Sequence, residues 1–114
     1  MRKKPREKPQ RGRWKKSRLE SLIERAVVDG GDEEEQQMAF FEALEEHLKL
    51  PFRTSIGKLP VTVRSIEVGD DEEIVAICQH QDDRFEVPLL DLVIPRPAPP
   101  GADWIEAYRL WVSE

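Results

Sequence analysis

The apolar residues of this chain change their spacing at Leu50-Pro51-Phe52, and that change constrains the fold more than any other feature. Upstream they recur at i, i+3, i+4 and i+7, the period of a helix with one buried face. Downstream they come in short runs rich in Val, Ile and Phe, separated by turn residues, as in antiparallel strands. Proline lacks the N–H that a helix needs and drives its predecessor to extended backbone, so the helical part ends there. With 114 residues the chain has room for one small domain.

The helical part divides in two. Ser17 and Glu20 have capping-box spacing, and Leu19, Leu22, Ile23, Ala26 and Val27 form one stripe, which predicts a helix over 17–29 stopped by Gly30-Gly31. Asp32 with Glu35 opens a second helix over 32–49, with Met38, Phe41, Leu44 and Leu48 along one face and Phe40 and His47 beside it. Beyond Pro51, strands are expected over 52–58, 61–68, 74–80 and 84–94, with turns at Gly69–Glu73 and Gln81–Arg84. Pro88 belongs at a bulge or sheet edge, and Leu89–Leu92 makes a one-turn crossing. Short strands joined by tight turns suggest a small twisted barrel. After the stiff link Pro95–Pro100, Asp103 caps a last helix whose Trp104, Tyr108 and Trp111 anchor the core.

Charge divides the chain differently. Residues 1–25 hold eleven Lys/Arg against three Glu, net +8, whereas residues 26–114 hold seven against twenty Asp/Glu, net −13. Residues 1–16 contain too little apolar surface to offset the entropy of ordering, so they read as a disordered basic arm, with 17–114 as one domain. No apolar run is long enough to span a membrane, and none follows the basic N-terminus as a secretory signal requires. One cysteine cannot form an internal disulfide, which suits a reducing cytoplasm. No phosphate loop, nucleophile elbow or H-E-x-x-H motif occurs, so nothing supports an enzyme.

Two acidic constellations carry the remaining chemistry. In Asp29–Gln36, six of eight residues offer a side-chain oxygen, the donor type that calcium requires in numbers. The same acids also suit a helix start, where they meet free N–H groups and the positive end of the dipole. A second group, Asp70-Asp71-Glu72-Glu73, lies on a turn, and Asp82-Asp83 lies on the next turn, at the other end of a meander. Neither place has the loop spacing of an EF-hand. Cys78 and His80 share a strand face, but two soft ligands without a second pair read better as a buried hydrophobe and its neighbour.

The order of these pieces resembles the bacterial non-EF-hand calcium-binding protein family of the CcbP type. Asp29 followed by Glu34-Glu35-Gln36, the aromatic helix ending Leu48–Phe52, Val68-Gly69-Asp70, Pro88-Leu89-Leu90-Asp91-Leu92, Asp103-Trp104 and Trp111-Val112 carry the likeness over roughly residues 20–112. The resemblance implies an SH3-like small barrel and calcium held by surface acids. The fold expected is thus α+β: two N-terminal helices, a small SH3-like antiparallel β-barrel and a short C-terminal helix. Asp29, Glu34 and Glu35 carry over from the family pattern. Charge density adds Asp32 and Glu33, and the turn adds Asp70 and Asp71. The function expected is a cytoplasmic, monomeric calcium buffer or sensor. The alternatives are a nucleic-acid or ribosome-associated module using the Arg/Lys arm 1–16, with Trp14 as a stacking ring, and a protein–protein adaptor docking through the acidic helix face.

Overall fold

A computed structural model describes residues 13–28 and 31–114. Helix α1 (Lys16–Val27) and helix α2 (Glu33–His47) precede a four-stranded sheet. The strands are β1 (Phe52–Ile56), β2 (Leu59–Val68), β3 (Ile74–His80) and β4 (Asp83–Pro88), followed by a 3-10 turn (Leu89–Asp91) and helix α3 (Asp103–Ser113). The helix–strand boundary at Pro51 stands as expected.

The α1 stripe buries Leu22 and Ala26 and half-buries Leu19, Ile23 and Val27. Its start departs from the expected Ser17 cap. Lys15 occupies the N-cap position with extended backbone and no side-chain cap. The chain is held just upstream instead: Arg13 Nη2 donates to the Ile94 carbonyl at 3.1 Å and Trp14 packs on the core. Tertiary anchoring here outweighs the local capping signal.

Helix α2 starts as its sequence requires. The Asp32 carboxylate accepts from the Glu35 N–H at 3.0 Å, and Glu35 Oε1 accepts from the N–H groups of Asp32 at 3.3 Å and Gly31 at 2.8 Å. Its core face is rotated from the one expected: Phe40, Leu44 and Leu48 are buried, Phe41 is half-buried, and Met38 is 45% exposed. The partner sets that rotation. Phe40 meets Trp104, Tyr108 and Trp111 with ring centroids 6.3, 5.7 and 5.1 Å away, so the aromatic face of α3 selects Phe40 over Met38.

The strands form an antiparallel meander in chain order, with Phe52 opposite Val63, Val63 opposite Cys78 and Cys78 opposite Phe85. A register shift between Val63 and Ser65 inserts Arg64 into β2 as a bulge. Val63, Ile66, Ile74, Ala76 and Cys78 join one core with Leu22, Phe40, Leu44, Ile105 and Tyr108. Pro88 ends edge strand β4, where a missing N–H costs nothing.

The expected closure into an SH3-like barrel does not occur. The sheet stays open because β4 stops at Pro88, and residues 89–94, expected as the rest of a last strand, leave the ladder in the 3-10 turn. The following segment returns past β1 with a single tie, from the Thr54 hydroxyl to the Val93 carbonyl at 2.6 Å. Arg109 holds that segment from α3 by donating to the carbonyls of Leu89 and Leu92. Helices supply the second layer that closure would have provided.

Helix α3 begins one residue earlier than a cap at Asp103 would place it. Ala102 is the N-cap, and the Asp103 carboxylate pairs with Arg18 of α1 at 2.9 Å. Gly101, at φ +87°, lets the link lie against the C-terminus of α2: a Cβ there would meet the His47 carbonyl oxygen at 2.0 Å. The same join stacks His47 on Trp104, centroids 5.2 Å apart and planes 9° apart.

Candidate metal centre

The free end of α2 faces the turn between β2 and β3. Together they enclose an open cleft of about 440 Å³, lined by Glu33, Glu34, Gln37, Met38, Val68, Asp71 and Glu72. Two local devices aim these side chains. The Asp32–Glu35 capping box fixes the first turn of α2, so Glu33, Glu34 and Gln37 project from a rigid start. The turn is closed by Gly69 N–H to the Glu73 carbonyl at 2.8 Å and Glu72 N–H to the Gly69 carbonyl at 2.9 Å. Glu72 lies at φ +65°, in left-handed backbone that a long side chain rarely adopts and that costs roughly 1–2 kcal/mol. Glycine would accept this conformation without that cost.

That backbone carries Glu72 to Glu34. Both residues line the cleft, and the charge of Glu72 raises the Glu34 pKa above the usual carboxylate range. A hydrogen bond to Glu72 and the charge of Asp32 push the same way. Both groups are exposed, and among the described residues no Lys or Arg forms an ion pair with either. Like charges held close in this way favour a proton or a cation between them.

The residues expected to bind metal divide into four kinds. Glu33, Glu34 and Asp71 line the cleft. Asp32 and Glu35 sit beside it and use carboxylate oxygens in the capping box. Asp70 is exposed and is not among the lining residues. Asp29 lies outside the described residues. Glu72 was recognisable as part of an acidic turn but not as the residue that meets α2. Its signal is spatial: a non-glycine at positive φ across from a helix start. Gln37, one turn along from Glu33, adds an amide oxygen.

The donor set suits a hard cation: carboxylates and one amide, with no sulfur or imidazole. Among the described residues, however, no three acidic, His or Cys side chains converge closely enough to hold a metal ion as they stand. A bound ion would require side chains from both walls of the cleft to swing inward. Elsewhere, Cys78 is fully buried with its thiol pKa raised by desolvation, and the His80 ring is within 2.8 Å of the Pro60 carbonyl.

Comparison with known proteins decides the affiliation. A family model for CcbP-type calcium binding matches residues 20–112. The chain belongs to the CcbP calcium-binding family. The crystal structure of Anabaena CcbP has the same fold, with a TM-score of 0.66 at 21% identity over 90% of this chain and 95% of that one. No curated protein matches the chain. Membership of the CcbP family supports calcium as the ligand. The match begins at Glu20, leaving outside it the basic arm expected over 1–16. Of that arm, residues 1–12 lie outside the described residues, while Arg13 and Trp14 touch the folded body.

Proposed function

We propose that this chain is a non-enzymatic calcium-binding protein and that the ion binds in the cleft between α2 and the β2–β3 turn. Glu33, Glu34, Asp71 and Glu72 are the charged ligands, and Gln37 supplies an amide oxygen. The observation that carries this assignment is the cleft itself: Glu33 and Glu34 from a capped helix start and Asp71 and Glu72 from a left-handed turn line it together, and the repulsion between Glu72 and Glu34 raises the Glu34 pKa. The cation offsets that repulsion, so binding and folding are coupled. Asp32 and Glu35 act through the cap that points Glu33 and Glu34.

Few rigid ligands and an open, solvated cleft give modest affinity, with Kd roughly 10⁻⁵ to 10⁻³ M. An ion at about 100 times its Kd stabilises the fold by about 2.7 kcal/mol. A weak, stabilising site on a small domain suits a cytoplasmic calcium buffer or sensor acting as a monomer. Calorimetric titration of chelator-treated protein tests this reading. Heat with a matching rise in Tm is expected. Millimolar calcium that produces neither would refute it.

A further inference from the structure

Strand β4 is a free edge of the sheet, and among the described residues no backbone hydrogen bond reaches it from outside β3. The hairpin decides which of its groups point outward. The two-residue turn Gln81-Asp82 puts the flanking pair, His80 and Asp83, at a hydrogen-bonded position of the ladder. Positions then alternate. Asp83, Phe85 and Val87 turn their backbone groups toward β3, and Arg84, Glu86 and Pro88 turn theirs away from it. Pro88 has no N–H to offer there. The edge thus presents the N–H and C=O of Arg84 and Glu86. Their side chains are exposed, on the face opposite to Phe85 and the buried Val87.

This edge is complementary to itself. When two copies of β4 run antiparallel about a two-fold axis at Phe85, Arg84 of each copy lies opposite Glu86 of the other. Both pairs occupy hydrogen-bonded positions, so each exchanges its backbone hydrogen bonds and also faces an opposite charge. Phe85 meets its counterpart at the closer, non-hydrogen-bonded position, which covers a half-buried ring. Other registers are disfavoured. A one-residue shift sets outward backbone groups against inward ones. A two-residue shift brings Arg84 onto Arg84 or Glu86 onto Glu86, and like charges directly opposite oppose pairing.

We infer that β4 is a self-recognition edge that joins two copies of this chain into one continuous sheet. The contact is a single strand of 6 residues a side, well short of the roughly 1,200–2,000 Å² of stable complexes, so it is weak. The chain is then a monomer at micromolar concentration, as the calcium reading has it, and pairs as it approaches about 1 mM. None of the cleft residues takes part, so the pairing stands apart from that reading.

Sedimentation of the full-length chain up to about 1 mM, at about 0.15 M salt, tests this. The dimer fraction is expected to rise with concentration, in calcium and in chelator alike. Arg84→Glu and Glu86→Arg are each expected to weaken self-association at least about tenfold, because each sets like charges opposite one another at both pairs. Mixed in equal amounts, the two variants are expected to associate as the parent does, since every facing pair is again opposite in sign. Arg53→Glu, exposed on β1 at the other edge of the sheet, makes the same change in net charge as Arg84→Glu and should leave association unaltered. Melting curves that match the parent establish that the variants are folded. A parent that stays monomeric to about 1 mM overturns the inference and leaves the edge to a strand of another protein. Single variants that associate like the parent, a mixture that does not recover, or equal weakening by Arg53→Glu also overturn it.

Discussion

The two ends of α2 do opposite work. At its C-terminal half, Phe40, Leu44 and Leu48 are buried, and Phe40 lies against three aromatic rings of α3. At its N-terminal turn, Glu33, Glu34 and Glu35 are exposed, and Glu34 shares a cleft with Glu72, whose charge raises its pKa. One helix thus joins a well-packed part of the molecule to a cleft where like charges face one another. Stability gathered at one end allows strain to be kept at the other, and that strain favours a cation.

The largest effect tests the packed end. Phe40→Ala removes a fully buried ring and is expected to destabilise the protein by about 3–5 kcal/mol in denaturant unfolding. Where the variant remains folded, its calcium affinity should stay close to that of the parent. A loss of affinity matching the loss of stability would show that the two ends of α2 are not separable.

Asp32→Ala tests the link between the ends. Loss of the cap is expected to cost about 1 kcal/mol of stability. Calcium affinity should fall less than in Glu34→Gln, because Asp32 holds the helix start rather than the ion. Equal losses in the two variants would make Asp32 a ligand instead of a cap.

What the sequence made legible follows the same division. The capping box of α2, the β-meander and the aromatic anchor were readable because each depends on residues close in sequence or on a strict period, although the same spacing at Ser17 and Glu20 gave way to tertiary anchoring. Three features were not. The core face of α2 depends on which ring α3 presents, so the pattern around Met38 and Phe41 pointed one step away from Phe40. Barrel closure depends on whether β4 continues past Pro88, and the tie from Arg109 to Leu89 and Leu92 draws the chain off the sheet. The cleft joins residues 33–37 to residues 68–72, which local composition shows as two acidic runs without showing that they meet. Glu72 among four successive acids could be singled out only through its backbone.

Glu72→Gly addresses that backbone directly. Glycine accepts the left-handed conformation, so calcium-free protein is expected to gain about 1 kcal/mol of stability, less the entropy glycine adds to the unfolded chain. Calcium affinity should drop at the same time. Opposite signs in melting and titration would mark the turn as strained for binding. A variant less stable than its parent would mean that the Glu72 side chain supports the turn rather than burdening it.

The smallest effect is the most diagnostic, because it uses protons in place of metal. The folded protein raises the Glu34 pKa, so in the window above the ordinary carboxylate range it binds more protons than the unfolded chain does. At neutral pH the ionised pair burdens the calcium-free fold. That burden lifts as the pH falls through the raised Glu34 value and is gone below the ordinary one. Glu34→Gln removes it at every pH. The Tm of the calcium-free variant should therefore exceed that of the parent at about pH 7, and the gap should narrow as the pH falls toward the ordinary carboxylate range. Saturating calcium at pH 7 should reverse the order, since the ion relieves the pair only where both carboxylates are present. The parent's own calcium affinity should weaken over the same acid window as protons compete for Glu34. A gap that is flat with pH would mean that the two carboxyl groups do not interact in solution, and the reason for placing the ion between them would be lost.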